Sequence, residues 1–200
     1  MASTKQYDRG YFDRWYRSAG QRVGLRSLLE RKVALAVAVA EYHLGHPLRS
    51  VIDIGCGEGA WRAPLLALRP HLQYLGVDAS EYAVRRHGTR RNLKLARFGQ
   101  LDQLRFGRAA DLLVCSDVLH YLATPELRRG LSGFAELCDG LAFIEVFARG
   151  DDFLGDTVDF VARPARFYRE ALHAAGFAAC GSHCYLGARL AASATALERC

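Results

Sequence analysis

Apolar residues recur along the chain in two alternating patterns. Short aliphatic and β-branched runs stop at glycine or aspartate, and between them apolar positions fall three or four residues apart. The first pattern belongs to buried strands and the second to amphipathic helices. Residues 7–20 mix aromatics with arginine (Tyr7, Tyr11, Phe12, Trp15, Tyr16) and predict one or two short packed helices. Residues 25–44 predict a helix, apolar at Leu25, Leu28, Leu29, Val33, Val37 and Ala40, ending near Gly45-His46-Pro47. SVIDIGCG (50–57) predicts a short strand halted by glycine. A helix over 60–69 closed by Pro70, a strand over 74–77 and a helix over 80–87 follow. Strands are then expected over 93–98 and 110–115, a helix over 125–138, and a nearly continuous apolar strand over 141–148. The remainder reads as a Gly/Asp-rich stretch (149–159), a helix over 165–175, and strands over 177–182 and 185–190.

Strict alternation of strand and helix points to an open α/β sheet with right-handed crossovers. The link between the last two strands is too short for a crossover helix, so they should pair antiparallel. No repeat or linker divides the chain. One domain over 1–200 is expected, with 1–46 as a helical cap and 48–190 as the core sheet.

Composition narrows the classes. Half of the 200 residues are apolar and 24% are charged, which excludes disorder or a fibrous repeat as the main state. No apolar run reaches the roughly 18 residues a membrane span needs. The polar, aromatic N-terminus shows no signal-peptide h-region, so a cytoplasmic location is expected. The six cysteines lie mostly in apolar or small-residue runs and read as buried free thiols. Cys180, His183 and Cys184 have no second ligand pair at usual spacing, so no metal site is expected.

The sharpest chemical signal is Asp53-Ile54-Gly55-Cys56-Gly57-Glu58-Gly59, between a predicted strand and a predicted helix. Glycines there permit a tight turn and a close approach of ligand to backbone. Asp78 ends the second predicted strand, where a carboxylate can take both hydroxyls of a ribose. Asp53 and Glu58 flank the glycines and would repel a pyrophosphate, whereas Asp53 could assist a cationic amino-acid group. The pattern favours an adenosine ligand without phosphate.

The segments VIDIGCGEG (51–59), YLGVDAS (74–80), RFGQLDQLRF (97–106) and DLLVCSDVLHYL (111–122) resemble the class I S-adenosylmethionine-dependent methyltransferases. The resemblance runs through about residues 48–190 in order and spacing. It implies a Rossmann-like methyltransferase fold: a mostly parallel seven-stranded sheet of order 3-2-1-4-5-7-6, strand 7 antiparallel, plus N-terminal helices. It implies S-adenosylmethionine as cofactor, with Asp53, Gly55 and Gly57 shaping the methionine end of its pocket. Asp78 would bind the ribose, and Ala79 would lie beside the adenine. The family often carries an acidic residue after a glycine to accept the adenine amino hydrogens. Here Gln100 follows Gly99; its carbonyl can accept such a bond, Leu101 offers its amide to the ring, and Asp102 stands two residues on.

Ligands of open α/β sheets bind beyond the carboxyl ends of the strands, which brings Asp117, His120 and Tyr121 to the pocket rim. His120 is the best candidate base, or else a residue that packs against the cofactor. Asp117 reads as acceptor ligand, second base or helix cap. Glu145, Arg149, Asp151, Asp152 and Phe153 form a second candidate wall, and His183 and Tyr185 lie near the end of the sixth strand. Tyr7, Tyr11, Trp15 and Tyr16 could cover the cofactor as a lid, or only dock a helix; Tyr11 and Tyr16 count among the candidate cofactor contacts.

Charge bears on the acceptor. The net charge of +6 is uneven: residues 81–110 carry eight basic and two acidic side chains, residues 111–160 three basic and ten acidic ones. Nucleic-acid binders are positive where they meet phosphates. An acidic acceptor wall instead points to a neutral or amine-bearing small molecule, with neither nucleic acid nor membrane expected as partner. The reading is methyl transfer to an O or N nucleophile. The alternatives are a methyltransferase acting on protein or RNA, a non-catalytic cofactor-binding scaffold, and a nicotinamide dehydrogenase.

Overall fold

Successive residues of the central strands point to opposite faces of one sheet, and both faces are apolar. Ile52, Leu113, Cys115, Ala142 and Ile144 belong to one buried cluster, while Val51, Leu112, Val114, Leu141 and Phe143 belong to another. A strand buried on both faces has no polar side to display, which is why these runs read as continuous rather than alternating.

The computed structural model describes residues 7–17, 26–152 and 155–199. Helix α1 (Arg9–Phe12) runs into a π-helical turn (Asp13–Arg17), and α2 spans Arg26–Leu44. Strand β1 (Ser50–Ile54) leads to α3 (Arg62–Leu68), β2 (Gln73–Asp78), α4 (Glu81–Arg91), β3 (Leu93–Leu95) and β4 (Ala110–Ser116). Helices α5 (Thr124–Ser132) and α6 (Phe134–Leu137) precede β5 (Cys138–Glu145). The chain ends through α7 (Ala165–Ala174), β6 (Phe177–Gly181), β7 (Cys184–Gly187) and α8 (Ala188–Ser193). The strands form one sheet ordered β3-β2-β1-β4-β5-β7-β6. Only β7 runs against its neighbours, pairing antiparallel with β5 and β6. Connections leave β1 toward β2 on one side and β4 lies on the other, so a crevice opens at the carboxyl ends of β1 and β4.

Several boundaries differ from the expectation. The helix expected over 125–138 breaks at Gly133, where a Cβ would overlap the Leu101 carbonyl. The strand expected over 93–98 stops at Leu95, and Phe98–Gln100 form a 3-10 turn. The apolar run 141–148 enters the sheet at Cys138 and leaves it after Glu145; Phe147 instead packs edge-on against His120. The final strand ends at Gly187, which passes 2.9 Å from the Gly140 carbonyl measured from its would-be Cβ, and residues 188–193 turn into α8. Leu25, expected to open α2, and Phe153 lie outside the described residues.

Candidate active site

The first wall is backbone. Beyond β1 the chain turns through Gly55 (φ 71°) and Gly57 (φ 54°), left-handed values that side-chain-bearing residues rarely adopt. A Cβ on Gly55 would overlap Val118, and one on Gly57 would lie 3.3 Å from the Phe12 ring. The amides of Gly55 and Cys56 both donate to the Val77 carbonyl, at 2.7 and 3.2 Å. Asp78 completes the turn: its Oδ2 accepts from the Gly57 amide and its Oδ1 from the Ser80 amide, each at 2.7 Å. Burial raises the Asp78 pKa, and the backbone donors oppose that shift. The Asp78 carboxylate retains acceptor capacity for a ligand hydroxyl beyond these backbone donors.

These residues line a cavity of about 870 Å³ that also takes in Ala79 and Leu101. Asp53 and Gln100, expected as direct contacts, lie outside its lining. Asp53 points to the other face of β1, where Tyr74 donates its hydroxyl to Oδ2 at 2.6 Å. Burial pushes its carboxyl up to about 7, against the lowering effect of that bond. Gln100 is turned inward on its own loop, its Oε1 accepting from the Arg97 amide at 2.8 Å. Arg97, Phe98 and Leu101 present that loop to the cavity instead.

Opposite stands the end of β4. Asp117 has φ 65° and donates its amide to the Glu145 carbonyl at 3.0 Å, which turns its carboxylate into the cavity. Tyr121 lines the same wall, its hydroxyl donating to the Asp156 carbonyl at 2.8 Å. His120 does not line the cavity. Its fully buried ring packs among Tyr121, Phe147 and Phe160, with centroids 4.2, 5.6 and 5.2 Å away. Its Nδ1 accepts from the Phe147 amide at 3.4 Å, and its Nε2 lies 3.2 Å from Asp117 Oδ1. With Nδ1 accepting, the ring proton belongs on Nε2, toward the carboxylate.

The roof comes from the N-terminal segment. Tyr7, Tyr11, Phe12 and Tyr16 face the cavity, and Trp15 does not. Tyr7 and Tyr11 meet edge to face at 5.0 Å, and Phe12 stacks on Tyr82 at 5.8 Å. Two polar ties hold the segment down. Arg17 donates to both oxygens of Glu58 at 2.6 and 2.8 Å, and the Ser80 hydroxyl donates to the Tyr7 carbonyl at 2.6 Å. Burial and nearby carboxylates raise the Tyr7 phenol.

The second expected wall is built differently. Glu145 is sequestered by Lys32 at 2.6 Å and by the Ser116 hydroxyl at 2.6 Å. Arg149 donates to the Ala162 carbonyl, and Asp151 accepts from the Ala148 amide. Glu145, Arg149, Asp151, Asp152, His183 and Tyr185 do not line the cavity, whereas Asp159 does. Asp159 has φ 62°, and its only sequence signal is an aspartate in a Gly/Asp-rich stretch, a residue type that tolerates that conformation.

Residues 52–139 match the family model of a methyltransferase domain. That stretch, just under half of the chain, carries a methyltransferase domain. The methyltransferase shares its fold with the magnesium protoporphyrin IX methyltransferase of Synechocystis, solved with S-adenosylhomocysteine bound. The two are 24% identical over 86% of each chain, with a TM-score of 0.60. A sugar N-methyltransferase from Streptoalloteichus is similar over 94% of this chain and 98% of its own, with 18% identity and a TM-score of 0.66. A SAM-dependent methyltransferase from Archaeoglobus fulgidus is 20% identical, over 77% of this chain and 70% of its own, with a TM-score of 0.59. No curated protein matches the sequence significantly. The methyltransferase domain implies S-adenosylmethionine as cofactor, and the residues present fit it: bare glycine backbone, a carboxylate at the β2 end and an acidic wall that would repel a pyrophosphate. Tyr7, Tyr11, Phe12, Tyr16 and Asp159 line the cavity from outside the matched residues. Among the described residues, no helix is long and apolar enough to cross a membrane.

Proposed function

We propose that this methyltransferase moves the methyl group of S-adenosylmethionine to an oxygen or nitrogen nucleophile of a small molecule, neutral or amine-bearing. The observation that carries the reading is the Asp117 carboxylate, turned into the cavity opposite Asp78 and the glycine turn and backed by His120. The cofactor supplies an electrophilic methyl on a sulfonium, so the protein mainly has to align the nucleophile and accommodate its proton. Asp78 holds the ribose hydroxyls, while Gly55 and Gly57 lay bare backbone against the methionine half. Ala79 and Leu101 flank the adenine, and Asp53 supports the glycine turn from behind through Tyr74. Asp117 meets the acceptor and takes its proton where one must leave. His120 acts through Asp117 as a positioning residue.

A small acceptor is favoured by the charge of the wall. Asp8, Asp78, Glu81, Asp117, Glu126 and Asp159 face the cavity against Arg85 and Arg97. That balance repels a phosphate backbone. A volume of about 870 Å³ lies within the range of small-molecule sites, roughly 300–1,000 Å³. The Synechocystis and Streptoalloteichus proteins named above act on a porphyrin and a sugar. The roofing segment, residues 7–17 of the N-terminal cap, covers the cofactor. Buried thiols at Cys56, Cys115, Cys138 and Cys184 suit a reducing, cytoplasmic setting.

The test is calorimetric titration with S-adenosylhomocysteine, then incubation of small-molecule acceptors with methyl-labelled S-adenosylmethionine. Label should reach small hydroxyl or amino compounds. Label only on protein or RNA would reassign the acceptor. Cofactor binding without transfer to any class would leave a scaffold.

A further inference from the structure

Four tyrosines and two carboxylates line the cavity together: Tyr7, Tyr11 and Tyr16 from the roof, Tyr121 and Asp117 from the end of β4, and Asp159 from the segment before α7. Both carboxylates sit on left-handed backbone, at φ 65° and 62°, so each side chain is aimed by the fold and not by its own rotamers alone. The roof rings meet at angles, Tyr7 edge to face with Tyr11 at 5.0 Å and Tyr11 tilted against Tyr16 at 6.5 Å. Burial raises the phenols of Tyr7, Tyr16 and Tyr121, and the Asp117 carboxylate adds to the rise at all three, as Asp78 does at Tyr7 and Tyr16. Electron-rich rings beside carboxylates form a container for a cation.

We infer that the acceptor is an alkyl amine, received as its ammonium ion by Tyr7, Tyr11, Tyr16, Tyr121, Asp117 and Asp159. The inference rests on the methyltransferase reading and narrows its acceptor atom to nitrogen. The ammonium passes one proton to the Asp117 carboxylate, which frees the nitrogen lone pair. That pair forms the new N–C bond, the methyl–sulfur bond breaks, and its electron pair stays on sulfur. Positive charge therefore leaves sulfur and reappears on nitrogen as an alkylammonium, inside the same ring of carboxylates and phenols, and the proton on Asp117 returns to water. An acceptor that reacts as an alkoxide, phenolate or carboxylate would bring negative charge against Asp117 and Asp159.

A binding experiment tests this without turnover. With S-adenosylhomocysteine saturating, choline serves as the cation probe and 3,3-dimethylbutan-1-ol as its neutral isostere. Choline should bind about tenfold more tightly, a discrimination in the range of a desolvated cation on aromatic faces. Asp117→Asn and Asp159→Asn should each erode that preference, and asparagine tolerates the left-handed backbone at both positions. In parallel, label from methyl-labelled S-adenosylmethionine should reach alkyl amines and not the matched alcohols. Equal binding of the two probes, a preference that survives both substitutions, or label confined to alcohols overturns the inference and leaves the methyltransferase reading standing. Failure of S-adenosylhomocysteine to bind removes that reading, and the inference with it.

Discussion

Asp78 accepts the Gly57 amide at 2.7 Å, joining the end of β2 to the turn that leaves β1. One carboxylate thus holds the glycine turn in shape and faces the cavity where the ribose would lie. Asp78→Asn keeps the volume but replaces one acceptor oxygen with a donor, which confronts the Gly57 or Ser80 amide. The affinity for S-adenosylhomocysteine should fall at least about tenfold, in line with a lost charge-assisted bond. Calorimetric titration reads it; unchanged affinity would remove Asp78 from the cofactor site.

His120 is fully buried, between the Phe147 amide and Asp117. His120→Ala leaves a hole and an unpaired amide, and should cost about 2–4 kcal/mol in denaturant unfolding. If the ring positions Asp117, turnover falls while cofactor affinity stays within about twofold. His120→Gln, which can still donate toward Asp117, should recover part of the turnover. Unchanged kcat in the alanine variant would sink the positioning role.

Arg17 ties the roof to the glycine turn through Glu58. The pair is partly solvent-exposed, so its contribution is to closure more than to global stability. Arg17→Ala should speed dissociation of S-adenosylhomocysteine in stopped-flow displacement and hasten chymotryptic cleavage at Tyr7–Tyr16. Raised salt should shift the wild type in the same direction. Identical dissociation rates would mean that the roof does not gate the cofactor.

Asp53 gives a pH signature. Its folded pKa, about 7, lies above the ordinary carboxylate value of 3.8. Between those values the native state holds a proton that the unfolded chain has released, so stability declines as pH rises from about 4 through 7. Above about pH 7 the full cost is present. Asp53→Asn, which still offers an oxygen to Tyr74, should flatten this slope and raise Tm at pH 8. A variant no more stable than wild type at pH 8 would contradict the assignment.

Arg163 is buried, and its guanidinium donates to the Leu122 carbonyl at 2.6 Å and to the Thr124 hydroxyl, with the Phe167 ring 5.1 Å from it. It fastens the segment carrying Asp159 to the start of α5. Arg163→Met keeps most of the volume but leaves the carbonyl unpaired, at a cost of about 2–3 kcal/mol. Proteolysis between residues 155 and 163 should accelerate before global unfolding. Protection equal to wild type would show that the segment is held by other contacts.

The sheet and the cofactor turn could be read from the chain because both are written locally. Runs apolar on both faces mark buried parallel strands. The short link between β6 and β7 permits only an antiparallel pair, and a glycine turn followed by a strand-ending aspartate is the pattern that dinucleotide and other adenosine sites share. Element ends were less legible: the helix breaks at Gly133 and the last strand ends at Gly187, where distant backbone passes too close for a Cβ. No local pattern reports such an approach.

By itself the sequence determined the alternating order of elements, the glycine turn and the carboxylate of Asp78. These depend on periodicity and on backbone freedom at single residues. The tertiary structure alone decided which polar groups share the cavity. It turned Asp53 and Gln100 to internal partners, placed His120 behind Asp117 and sequestered Glu145 with Lys32 and Ser116. It also brought Asp159 across from a roof of tyrosines far away in the chain. Side chains of one type are alike in sequence; direction and partner are set by the backbone beneath and by residues that arrive from elsewhere.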